Sequence, residues 1–217
     1  MARKKLAVLI SGRGSNLQSL IDACQAPDFP AQIALVISNK PGVFGLERAE
    51  KAGIPTTVVD HREFDGRKSF ENALHDMISA CKPDLVCLAG FMRILTDGFV
   101  TRWHNRLINI HPSLLPSFKG LHTHERALET GVRFVGCTIH FVRPAMDDGP
   151  IIIQAAVPVR PDDDPDTLAA RVLEQEHKIY PLAVRLIAEG RVRVSHEKVM
   201  IADAEMPEGA ILNPSGS

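Results

Sequence analysis

Short apolar runs alternate with longer stretches of helical periodicity along most of the chain, and this ordering constrains the fold more than any other feature. Residues 6–10, 33–37, 85–89 and 107–110 are dense in Val, Leu and Ile, as strands buried on both faces must be. The run at 56–59 is shorter and more polar, which suits a place nearer a sheet edge. Between these runs, 17–24, 44–52 and 67–81 repeat apolar residues at helical spacing. Gly53 stops the second helix, and Lys82-Pro83 closes the third because proline disfavours helix in the residue before it. Thr96 can cap a short helix running towards Asn105. The order predicts an α/β protein, a Rossmann-like and mostly parallel sheet with flanking helices.

After His111 the pattern changes. A helix at 123–129 ends at Gly131, strands follow at 135–142 and 151–159, and residues 143–149 join them. A long helix over 166–189 ends at Gly190; Pro181 inside it should remove one helical bond and bend it. The segment from Ala202 onward is rich in proline and glycine and is expected to fray. No repeat or linker divides the chain, so residues 1–217 read as one domain, with one half at about 1–105, a second at about 106–200 and a tail at 202–217.

A 45% hydrophobic content suffices for a core, and a formal net charge of -1 removes the broad positive field that nucleic-acid binding uses. The apolar run behind Arg3, Lys4 and Lys5 ends at Ser11-Gly12, too short for a membrane span and without a signal-peptide cleavage region. Cys24, Cys81, Cys87 and Cys137 show no Cys-x-x-Cys spacing, which points to thiols in a reducing, cytoplasmic setting. His122-x-His124 supplies two possible metal ligands, but no His-Glu-x-x-His or other zinc spacing accompanies them, and no metal is expected.

The first strand leads straight into Ser11-Gly12-Arg13-Gly14-Ser15-Asn16 and then a helix. Glycines there let a ligand approach the backbone, and free N–H groups at the helix start favour an anion. A Walker loop would need Gly-Lys-Ser/Thr, and a dinucleotide turn would need a third glycine where Leu17 stands. A monophosphate fits better, held by Gly14, Ser15 and Asn16; a plain tight turn is the alternative.

The run Asn109-Ile110-His111-Pro112-Ser113-Leu114-Leu115-Pro116 begins at the carboxyl end of a buried strand, where open α/β sheets bind ligands. Asn109 and His111, two apart, project to one face. An amide donor beside an imidazole is what acyl transfer requires: a partner for the developing oxyanion and a proton carrier. A buried His–Asn pair that merely ends the strand would look the same. Glu176 poses a similar choice. It interrupts the helical stripe of Leu168, Val172, Ile179 and Ala183, and a carboxylate there needs either a substrate amine or an internal ion pair.

Taken together, residues 11–16, Phe91-Met92-Arg93-Ile94-Leu95, residues 109–116, the Asp147 loop and Gln175-Glu176-His177 closely resemble the glycinamide ribonucleotide transformylase family, from about Leu6 to about His196. The Asn-x-His-Pro-Ser-Leu-Leu-Pro run is shared by the wider formyl-folate enzymes, so it speaks to chemistry more than to substrate. The resemblance implies the formyltransferase fold, with phosphate handled by the first half and folate and catalysis by the second. It implies that Asn109 binds the formyl oxygen, that His111 handles protons, and that Asp147 supports His111. Gly14, Ser15 and Asn16 would hold the ribonucleotide phosphate, and Glu176 would meet the glycinamide end. Arg67, Met92, Arg93, Ile94 and Leu95, together with Arg143, Pro144, Ala145, Met146 and Asp147, would line the folate pocket. The co-substrate would be 10-formyltetrahydrofolate, with glycinamide ribonucleotide as acceptor, no metal and no nucleic acid expected, in a monomer or homodimer. The chain departs from the family in carrying Asp148 where glycine or another small residue is usual.

Two relatives of the same chemistry fit less well. Formyl-folate deformylases commonly carry an extra amino-terminal domain, and methionyl-tRNA formyltransferases a carboxyl-terminal one; neither is expected here. A non-catalytic nucleotide sensor would have no use for a proton carrier beside Asn109.

Overall fold

The structure is a computed structural model that describes residues 2–205 and 207–214. Its elements in order are β1 (Lys4–Ile10), α1 (Ser15–Gln25), β2 (Ala31–Ser38), α2 (Phe44–Lys51), β3 (Thr56–Val58), α3 (Arg67–Ala80), β4 (Leu85–Leu88), α4 (Asp97–Arg102) and β5 (Leu107–His111). There follow α5 (Thr123–Thr130), β6 (Phe134–Phe141), β7 (Ile151–Pro158), α6 (Pro165–Ala188), β8 (Val192–Ser195) and β9 (Lys198–Ile201). Seven strands form one sheet in the order β3-β2-β1-β4-β5-β6-β7. The first five are parallel, and β6 and β7 are antiparallel to their neighbours.

Strand β1 shows why its sequence is continuously apolar. Leu6, Val8 and Ile10 enter one core cluster, with Leu17 and Leu20 of α1 and Val172 and Tyr180 of α6. Ala7 and Leu9 enter the other, with Phe70 and Leu74 of α3. A strand covered on both faces has no polar side to alternate with.

Helix α6 begins with a capping box in which the Asp164 side chain accepts from Thr167 N–H, and Pro165 occupies the first turn, where its missing N–H costs nothing. It stays helical through Pro181. The β8–β9 hairpin lies outside the main sheet and is absent from the sequence reading. Its turn residues His196 and Glu197 have φ of 49° and 55°, values for which Asn-Gly is the usual signal. The tail read as frayed includes Met206 and residues 215–217, which lie outside the described residues; within the rest of it, Asn213 Nδ2 donates to the carbonyls of Arg133 (2.6 Å) and Val159 (2.9 Å). Among the described residues no helix is long and apolar enough to cross a membrane.

Strand order reverses at β1, which has β2 on one side and β4 on the other. The carboxyl ends of β1 and β4 therefore flank the topological switch point where such sheets bind ligands. The glycine turn leaves β1 there, the 89–95 segment leaves β4, and β5 ends beside them in His111.

Candidate active site

Gly14 caps α1 in a left-handed conformation (φ 69°), with no side chain closing the helix start and no acid in its first turn. The Gln18 N–H bonds back to the Gly14 carbonyl at 2.9 Å, so the N–H groups ahead of it have no helical partner. Ser15 is half-buried and Asn16 is buried. The Asn16 amide donates through Nδ2 to Glu176 Oε2 at 2.6 Å, and its Oδ1 is buried without a partner. Burial pushes the Glu176 carboxyl above the ordinary range, with the Asn16 bond opposing the shift. The two substrate-facing candidates from α1 and α6 thus meet directly.

At the end of β5, His111 is buried between two acceptors. Its Nε2 donates to the Phe118 carbonyl at 3.1 Å, which fixes a proton on that nitrogen, and Nδ1 lies 3.5 Å from Asp147 Oδ2. A second proton on Nδ1 would point at a carboxylate. Asp147 Oδ2 also accepts the Gly120 N–H at 2.9 Å. Asp147 has φ of 51°, a strained value for a residue with a side chain and one that recurs at functional sites. Its neighbour Asp148 is exposed and pairs with Lys119.

Asn109 faces His140 across the β5–β6 pair. His140 is buried, and that burial holds its ring below the ordinary histidine range, so the neutral form prevails. Its Nδ1 donates to the Phe141 carbonyl at 3.0 Å, leaving Nε2 to accept from Asn109 Nδ2 at 3.3 Å. The amide nitrogen keeps a second N–H for another acceptor.

Met92, Ile94 and Met146 form exposed apolar surface, at 61%, 67% and 55% exposure, far above what such side chains have in a core. Leu95 is instead part of the α3–α4 core, and Arg93, Pro144 and Ala145 are exposed. The Met92 N–H donates to Ser11 Oγ at 2.8 Å, which joins this segment to the glycine turn. Arg67 opens α3 and is exposed. The Arg143 guanidinium is engaged by Glu197 of the β8–β9 turn at 2.6 Å and by Asn105 at 2.7 Å. His122 faces Glu125, and among the described residues no three His, Cys, Asp or Glu side chains gather as a metal site.

A family profile described as formyl transferase matches residues 4–184. The chain belongs to the formyl transferase family. Among curated relatives, the phosphoribosylglycinamide formyltransferase of Haemophilus influenzae is 44% identical over 210 residues, covering 97% of this chain and 99% of that protein. The human trifunctional purine biosynthetic protein adenosine-3 is 53% identical over 192 residues, 88% of this chain, of which the chain spans only 19%. Among solved structures, glycinamide ribonucleotide transformylase 1 from Symbiobacterium toebii superposes with a TM-score of 0.90 at 46% identity, covering 93% of this chain and 95% of that one.

In this member of the family, the loop after His111 is fastened by residues that sequence reasoning did not single out. Thr138 Oγ1 donates to the Ser113 carbonyl (2.7 Å) and accepts the Leu115 N–H (3.1 Å). Gln154 Nε2 reaches both Thr138 Oγ1 (3.0 Å) and the Leu115 carbonyl (2.9 Å). A threonine inside the apolar β6 run was the available signal, since a buried hydroxyl requires a partner.

Proposed function

We infer that this chain transfers the formyl group of 10-formyltetrahydrofolate to the amine of 5-phosphoribosylglycinamide, giving the N-formyl product and tetrahydrofolate in purine biosynthesis. The observation that carries the reading is the His111 ring held between the Phe118 carbonyl and Asp147, with Asn109 beside it on β5, at the sheet end where α1 also opens. Relatives named for this activity over nearly their whole length support the choice of substrates.

The substrate amine attacks the formyl carbon, and the carbonyl oxygen takes up charge. Asn109 N–H stabilises that oxygen, joined by protonated His111 once its Nε2–H exchanges the Phe118 carbonyl for the oxygen, while Asp147 at Nδ1 orients the ring and offsets its charge. The bond from the formyl carbon to the folate nitrogen then breaks. The proton lost by the amine reaches that nitrogen through His111, directly or through water. Gly14, Ser15 and Asn16 hold the ribonucleotide phosphate, and Glu176 meets the glycinamide end. Met92, Ile94 and Met146 supply apolar surface for the folate ring, with Arg67, Arg93 and the 143–147 loop completing its pocket. The partners are then small molecules. Free thiols at Cys24, Cys81, Cys87 and Cys137 support a cytoplasmic setting.

The test is turnover of 10-formyltetrahydrofolate with and without glycinamide ribonucleotide. Tetrahydrofolate that forms only when the ribonucleotide is present supports the reading. Formate released in its absence would make the chain a deformylase instead.

A further inference from the structure

Helix α2 fastens the middle of the glycine turn from outside. Gly45 N–H donates to the Gly12 carbonyl at 3.1 Å, and Arg48 Nε donates to the Arg13 carbonyl at 3.0 Å. Arg48 is itself fixed, with a second nitrogen on Gln18 Oε1 at 2.9 Å and its guanidinium 4.6 Å over the Phe44 ring. The approach leaves no room for a side chain. A Cβ on Gly45 would fall 2.5 Å from Ile10 Cδ1, 3.0 Å from the Gly12 carbonyl oxygen and 3.3 Å from Gly14 Cα, and one on Gly14 would fall 2.7 Å from Gly45 Cα.

A turn that receives an anion must present N–H groups and keep its carbonyl oxygens, which carry partial negative charge, turned away. Two carbonyls of the turn, those of Gly12 and Arg13, are tied back by α2. We propose that Gly45 and Arg48 are positioning residues for the ribonucleotide phosphate, setting the peptide planes of the turn without touching the ligand. This rests on reading the turn as the phosphate subsite. It gives α2, which contributes nothing else to the proposed site, a role in substrate affinity.

Glycinamide ribonucleotide affinity, inhibition by inorganic phosphate, formyl-folate KM and kcat would be measured for Arg48→Ala, Arg48→Lys and Gly45→Ala. The first and third should each weaken the ribonucleotide and inorganic phosphate in parallel by about tenfold or more, with formyl-folate KM and kcat within about twofold. Arg48→Lys should stay within about threefold of Arg48→Ala, because an ammonium keeps the charge but cannot fork between Arg13 and Gln18. Full recovery by lysine would assign the effect to charge and overturn the positioning role. Unchanged ribonucleotide affinity in Arg48→Ala, or equal loss of both substrates, would overturn it too. If Gly45→Ala does not fold, the Arg48 pair decides. Ser15→Asp, measured alongside, separates the two levels. If it weakens the ribonucleotide while Arg48→Ala does not, the clamp fails and the phosphate reading stands; if neither has an effect, the phosphate reading itself fails.

Discussion

Asp147 Oδ2 stands 3.5 Å from His111 Nδ1, while the adjacent Asp148 faces solvent and pairs with Lys119. Two features of the backbone separate these neighbours. Asp147 takes a left-handed φ of 51°, which reverses the loop at that residue. Gly149 then presses so close to β6 that a Cβ would meet the Phe141 carbonyl oxygen at 1.7 Å, fixing the loop on its far side. Two carboxylates on one imidazole would repel each other, and this geometry admits one.

Asp147→Asn should therefore lower turnover by about two to four orders of magnitude, the range associated with a positioned proton carrier. Asp148→Gly, which removes the outer acid, should stay within about twofold of the parent in turnover. Rates for both variants, with folding checked by circular dichroism, decide the matter. A dead Asp148→Gly beside a healthy Asp147→Asn would transfer the role to the outer acid.

Asn109→Ala should lower kcat by about a hundred- to a thousandfold, the usual cost of one oxyanion donor, with much smaller changes in either KM. The bond between Asn109 Nδ2 and neutral His140 orients the amide before substrate arrives, so the loss falls on the transition state. Steady-state kinetics against each substrate provide the check. Turnover within about threefold of the parent would make the strand-end pair structural.

Ser15→Asp should weaken glycinamide ribonucleotide by about tenfold or more while sparing formyl folate. It sets a carboxylate at the open start of α1, whose first turn has no acid. Equal weakening of both substrates would indicate a damaged turn.

The parallel half of the fold was legible because strands covered on both faces must be apolar throughout. Where the ladder outruns that pattern, sequence stops short: Lys4 and Lys5 pair with Ala31 and Gln32, although their side chains are exposed. The β8–β9 hairpin escaped because His196 and Glu197 occupy its turn without the glycine that usually marks one. In the candidate site, Asn109 and His111 were readable from their spacing on one strand. The meeting of Asn16 with Glu176 was not, since it joins residues 160 positions apart and depends on how α6 packs on α1. Arg143 shows the same limit, because its engagement by Glu197 depends on the hairpin that went unread.

Glu176→Gln separates substrate recognition from fold stability. Burial raises the Glu176 carboxyl in the folded chain, so the fold favours the protonated form. A group raised in this way lends its stability fully below its unfolded value, near 4.5, and loses it as pH rises through the higher folded value. At neutral pH the ionised carboxylate opposes folding, relieved only in part by the Asn16 bond. Glutamine keeps the shape and can still accept from Asn16, but it does not ionise. The unliganded variant should match the parent near pH 4.5, exceed it as pH rises through the folded value, and hold that margin above it, in thermal midpoint or urea midpoint. Its KM for glycinamide ribonucleotide should rise about tenfold or more, because a neutral amide replaces the charge that meets the glycinamide end. A variant that instead melts well below the parent at pH 7.5 would show that the carboxylate serves a structural ion pair and that Glu176 does not await a substrate.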